Sequence, residues 1–386
     1  MKRVFQSISI ATLTLAFQLP ALAKCPVSDN TMLVVKAPIG NLQVDTTGRD
    51  TIEVVAGNDI VIKEICGKDR VEYSAESPTQ IRGTIDWKIV VPRTVSVDLI
   101  TFGGSIRMTD SDASATLRTT GGPVSVGNIK GKTTIVTQGG FIKAGNIGGD
   151  AELRISSAGS IEVGNIAGNA DLHTAGGAIT AGSINGKVIA DASGGAIHIK
   201  AARGDALLSA DPGDIFIGEA ARIDAKTTGG SITNSRVRGH VKGISDSGNI
   251  RLESAGSWVE ATTGSGSIYV RMNPENFDGD LHVALQTGVG DIALHVPEQL
   301  KATFDAMIDR PALNGRRIVS DIPLNGIITA QTIAPTRTSP QRGVGLPGMI
   351  NRFGTPDRQQ GTLNGGGNPI KLHTSLGKIE IFKIKL

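Results

Sequence analysis

Glycine returns about every 18 residues through the middle of this chain, and a fixed period of that length limits the possible folds more than any other feature. The turn glycines Gly104, Gly122, Gly140, Gly159, Gly177, Gly195, Gly213, Gly230, Gly248 and Gly266 stand at intervals of 18, 18, 19, 18, 18, 18, 17, 18 and 18. One unit reads TGGPVSVGNIKGKTTIVTQG. A unit this short cannot bury its own apolar face, so neighbours must stack and share a core. The 50 glycines are periodic, which signals a repeat architecture rather than disorder.

Within the unit, apolar and polar positions alternate. Two residues after each turn glycine stands an aliphatic residue: Ile106, Val124, Ile142, Ile161, Ile179, Ile197, Ile215, Ile232, Ile250 and Ile268. Two further on, the column is apolar again except at Asn234, and the position between is polar and variable, from Arg107 to Tyr269. Such period-two alternation makes a half-buried strand. A second alternating run precedes each glycine, so each unit holds two strands and two turns. The Gly-Gly corner is expected to need positive φ. The other turn carries Asn128, Asn146 and Asn165, which should lie above one another and bond along the stack. Three residues before the glycine runs a column with Thr101, Thr119, Thr137, Ser156 and Thr174, whose stacked hydroxyls are expected to satisfy one another. The prediction is an all-β, single-chain parallel β-solenoid. Ten coils at ~4.8 Å per rung make a rod.

The flanks divide the chain into five segments. Residues 1–23 form a signal peptide: Lys2 and Arg3, an apolar stretch to Leu22, and the Ala21-Leu22-Ala23 cleavage site. Residues 24–92 carry strands without the period and read as an N-terminal β cap. Residues 93–300 are the solenoid. Residues 301–367 read as an irregular Pro/Gly/Arg-rich loop. Residues 368–386 recover the pattern, with Thr374 and Ile379 placed around Gly377 as in a repeat, and read as a closing coil. No stretch is long and apolar enough to span a bilayer.

Export makes a disulfide between Cys25 and Cys66 the expected state of the two cysteines, with two buried thiols as the alternative. The formal net charge of +3 falls to +1 once Lys2 and Arg3 leave with the leader, and charges of both signs are interspersed. That gives no nucleic-acid footprint. Aromatic residues make up 3% of the chain, fewer than a stacking groove for glycans normally needs.

The run WKIVVPRTVSVDLITFGGSIRM, the tandem TTGGPVSV and SAGSIEV coils and the closing GGGNPIKLHTSLGKIEI resemble the bacterial putative-adhesin family. The resemblance implies an exported or envelope-associated β-solenoid and brings no catalytic residues with it.

No catalytic constellation can be assembled from the residues themselves. Asp211 and Asp246 share a column with Thr228 between them, and Asp214 and Asp291 share another several coils apart. Asp211 and Asp214 flank a turn, where a bound cation and a solvated Asx turn are both possible readings. The six histidines show no metal spacing. The sequence therefore predicts a non-enzymatic envelope protein, periplasmic or at the cell surface, without cofactor or metal. It would act as an adhesin or an interaction scaffold whose partner is a surface polymer or an envelope protein, not nucleic acid. A polysaccharide-active β-helix enzyme, lyase or hydrolase, is the alternative.

Overall fold

The computed structural model describes residues 23–27, 31–57, 60–76, 85–310, 318–326 and 356–386; the rest of the expected leader and much of the expected loop lie outside them. The described residues contain strands and no helix, arranged as two long, mostly parallel sheets. No helix among them is long and apolar enough to cross a membrane. The fold is the parallel β-solenoid that the glycine period predicts.

The aliphatic column is the spine of the first sheet. Ile106, Val124, Ile142, Ile161 and Ile179 follow one another in register. The column then continues through Ile268 to Ile292 and Ile379. Every member is at most 1% exposed. The second sheet stacks the strands that precede each glycine, as in Ala115↔Thr133 and Leu117↔Ile135. A narrower ladder closes the coil between them, where Ile129, Ile147, Ile166 and Ile184 bridge one to the next and are buried. These three inward-facing columns fill the core.

Three features differ from the sequence reading. The turn glycines are needed mainly for close approach: a Cβ on Gly122 would sit 2.2 Å from the carbonyl oxygen of Gly104, and positive φ is confined to some corners, such as Gly104 and Gly140. The threonine hydroxyls do not satisfy one another. Each donates to the carbonyl of the turn glycine one coil below, as from Thr101 to Gly40 (2.9 Å), Thr119 to Gly104 (2.8 Å) and Thr374 to Gly290 (2.9 Å). Ser156 is exposed and outside this column; Ile155 pairs with Thr137 and Thr174, because the single 19-residue coil places its extra residue between strand and glycine.

At both ends the stacking order departs from chain order. Below the first repeat lies a coil made of Met32–Ala37 and Asn41–Thr47, and beyond it a coil made of Arg70–Glu76 and Asp86–Pro92. At the other end, the closing coil Asn368–Leu376 and Ile379–Ile384 is inserted. It pairs in parallel with Val283–Val289 on one side and with Ala302–Ile308, inside the stretch read as loop, on the other. Among the described residues neither sheet closes on itself. The edge strands are Ala23–Pro26 and Ile318–Ser320 in one sheet, and Val61–Cys66 and Leu324–Gly326 in the other. Short and partly antiparallel strands at the ends blunt the edges that a regular coil would leave open.

Candidate binding surface

The outer face of the first sheet carries a furrow four rungs long toward its N-terminal end, and an asparagine ladder runs along the neighbouring turn. Asn128 Oδ1 accepts hydrogen bonds from the backbone N–H of Asn146 (2.8 Å) and from its Nδ2 (3.1 Å), and Asn146 Oδ1 accepts from the N–H of Asn165 (2.8 Å). The ladder ends at Ser183, whose N–H donates to Asn165 Oδ1, and begins at Asp110, which accepts from Asn128. Each side chain crosses the space where the residue before the next asparagine would place a Cβ. A Cβ on Gly145 would lie 2.8 Å from Asn128 Oδ1, and one on Gly164 equally close to Asn146 Oδ1. Glycine is therefore required at Gly127, Gly145, Gly164 and Gly182.

The furrow, of about 480 Å³, is lined by Gln43, Asp45, Arg107, Ser125, Gly127 and Lys143, with Val44, Met108 and Val126 along the floor. Lys143 lies 3.2 Å from Glu162, with both side chains 60% exposed, so the pair contributes little. Arg107 and Lys88 are exposed and have no ion-pair partner among the described residues.

Among the described residues, four aromatic side chains, Phe216, Trp258, Tyr269 and Phe382, stack on histidine or arginine in neighbouring rungs, contacts that the sequence reading missed. Trp258 lies between His240 (centroids 4.2 Å apart) and His282 (5.2 Å), nearly parallel to both. Each of these three stands immediately before an inward valine, Val241, Val259 and Val283, which was the available signal. On the first sheet, Arg251 covers the Tyr269 ring at 4.4 Å, and His295 stacks on Phe382 at 4.9 Å. Burial first, then the Arg271 guanidinium, holds the His295 imidazole below the usual histidine range, against the pull of Asp321, Glu253 and Glu380. His198 stacks on Phe216 at 4.6 Å. Both faces of Trp258 are covered by neighbouring rungs, so its ring stiffens the rod and offers no open platform for a sugar.

The acidic columns resolve into ladder contacts. Asp214 accepts the N–H of Ser231 (2.7 Å), and Asp291 that of Lys378 (2.9 Å). Thr228 donates to Asp211. These carboxylates cap the next coil and do not converge on one point. At the N-terminal end Cys25 and Cys66 are joined, with Cα atoms 6.1 Å apart. Beside them Tyr73 donates to Glu64 (2.8 Å), and burial, with Glu64 adding to it, pushes the Tyr73 phenol up. Cys25, Glu64 and Cys66 are the one group of potential metal ligands among the described residues, and their sulfurs are bonded to each other.

No known sequence family and no curated protein matches this chain. Among solved structures it is similar to a putative adhesin from Bacteroides fragilis, at 14% identity over 71% of this chain and 96% of that one, with a TM-score of 0.26. It is also similar to a putative cell adhesion protein from Clostridium sporogenes, at 9% identity over 95% and 100% of the two chains, with a TM-score of 0.17. Scores this low carry no argument about function.

Proposed function

We propose that this chain is an exported, non-enzymatic binding protein of the cell envelope that presents the outer face of its rod to a surface polymer. The observation that carries the reading is the furrow: an exposed groove in which the variable polar side chains stay in register over successive coils. A repeating surface fits a repeating ligand, because each added ligand unit meets an equivalent rung and weak contacts add along the chain. The leader-like N-terminus and the joined cysteines favour an oxidising compartment, periplasmic or extracellular. Incubating the mature protein with a panel of envelope glycans, reading both retention and release of reducing ends, tests the reading. Retention without release is expected; release would move the protein to the polysaccharide-active class.

A further inference from the structure

We propose that the furrow binds an extended acidic polysaccharide whose negative charges recur on every second sugar. This rests on the binding-protein reading and adds the ligand class. The register of the first sheet places Lys88 beside Gln43, Gln43 beside Arg107, Arg107 beside Ser125, and Ser125 beside Lys143. Cations thus occupy alternate rungs, about 10 Å apart at ~4.8 Å per rung. The rungs between carry an amide and a hydroxyl, groups that pair with sugar hydroxyls; the one carboxylate lining the furrow, Asp45, lies on the Gln43 rung and accepts from Gln43 Nε2 (3.4 Å).

The rest of the furrow fits the same ligand. Met108 and Val126, 5% and 7% exposed, give a narrow apolar strip against which sugar C–H faces can pack. Glu162, beside Lys143, turns the sign of the column and marks the acidic end of the site. A nucleic acid fits poorly. Its phosphates recur far more densely than one per two rungs, and no aromatic side chain lines the groove to stack bases.

The test uses the full mature chain and three fluorescently labelled probes of equal length: hyaluronan oligosaccharide, with a uronate on alternate sugars, neutral dextran, and single-stranded DNA. Fluorescence anisotropy at low and moderate salt should show binding to the hyaluronan probe that weakens as salt rises, with dextran and DNA weaker. Arg107→Gln should weaken it roughly tenfold and Lys88→Gln with Arg107→Gln further, while Lys242→Gln on the second sheet leaves it unchanged. Circular dichroism of each variant confirms that the rod is intact. Tighter binding of dextran or DNA, or acidic-glycan binding indifferent to Arg107→Gln, overturns the furrow assignment. In the second case a polymer is still bound, so the binding-protein reading survives. Release of reducing ends together with sensitivity to Arg107→Gln upholds the furrow and overturns the non-enzymatic reading instead.

Discussion

The Thr263 hydroxyl donates to the carbonyl of Gly248 at 2.8 Å, tying the end of one coil to the corner of the coil before it. Thr263 is 1% exposed, so water cannot replace the bond. Thr263→Val keeps the shape and orphans the carbonyl, and should cost about 1–3 kcal/mol in urea unfolding. Thr262→Val, one residue earlier on the exposed side, should change stability by less than about 0.5 kcal/mol. Equal effects would mean that the column stabilises by strand propensity alone.

How far this contact could be read from the sequence shows where pattern reasoning stops. The spacing of Thr101, Thr119 and Thr137 revealed a column, and the in-register stack of Ile106 to Ile268 followed from period and alternation. The acceptor did not follow, because a hydroxyl can meet either its neighbour in the column or a backbone carbonyl, and only the corner geometry decides. The ends were illegible for another reason. Met32–Ala37 pairs with both Arg70–Glu76 and Ser96–Thr101, so a coil later in the chain lies outside an earlier one. Periodicity reports what repeats along the chain and is blind to such insertions. The asparagine ladder was half legible: Asn128, Asn146 and Asn165 were visible as a column, but the glycines beside them were read as turns rather than as clearance for the side chain below.

Asn234 is wholly buried between Ile217 and Leu252 on the aliphatic face of the first sheet, and both its side-chain polar atoms lack partners. Burying an unpaired amide is unfavourable. Asn234→Leu should therefore raise stability by about 1–3 kcal/mol, read as a higher urea midpoint with an unchanged slope. A loss of stability would show that the amide is satisfied in solution.

Ile161 is 1% exposed, whereas its neighbour Glu162 points outward beside Lys143. Ile161→Ala opens a cavity in a stacked core and should cost about 2–5 kcal/mol. Glu162→Ala removes one solvent-exposed ion pair and should cost under about 1 kcal/mol. Comparable losses would reverse the inward and outward assignment for that coil.

Cys25 and Cys66 are separated by 41 residues, so a bond between them restricts a long loop of the unfolded chain. Protein purified without reductant should resist thiol alkylation, by intact mass, until it is unfolded and reduced. Cys66→Ala should lose about 2–4 kcal/mol. Two alkylated cysteines in the untreated protein would show that the bond does not form on export.

Asp305 and Arg358 hold the antiparallel strand Asp357–Leu363 onto Ala302–Ile308. Arg358 donates from Nε to Oδ1 (2.8 Å) and from Nη2 to Oδ2 (2.6 Å). That guanidinium first, with help from Gln360, holds the Asp305 carboxyl below its ordinary range, against the opposing effect of burial. A carboxyl whose folded pKa is lowered contributes its full stability above its unfolded pKa, about 3.9, and loses that contribution as pH falls through the lower folded value. Stability measured by urea unfolding should therefore fall more steeply for the wild type than for Asp305→Asn once the pH drops below about 4. The variant should be the less stable of the two at neutral pH and approach the wild type in acid. Parallel pH profiles would show that the bidentate pair is not held in solution and that this strand docks through its backbone ladder alone.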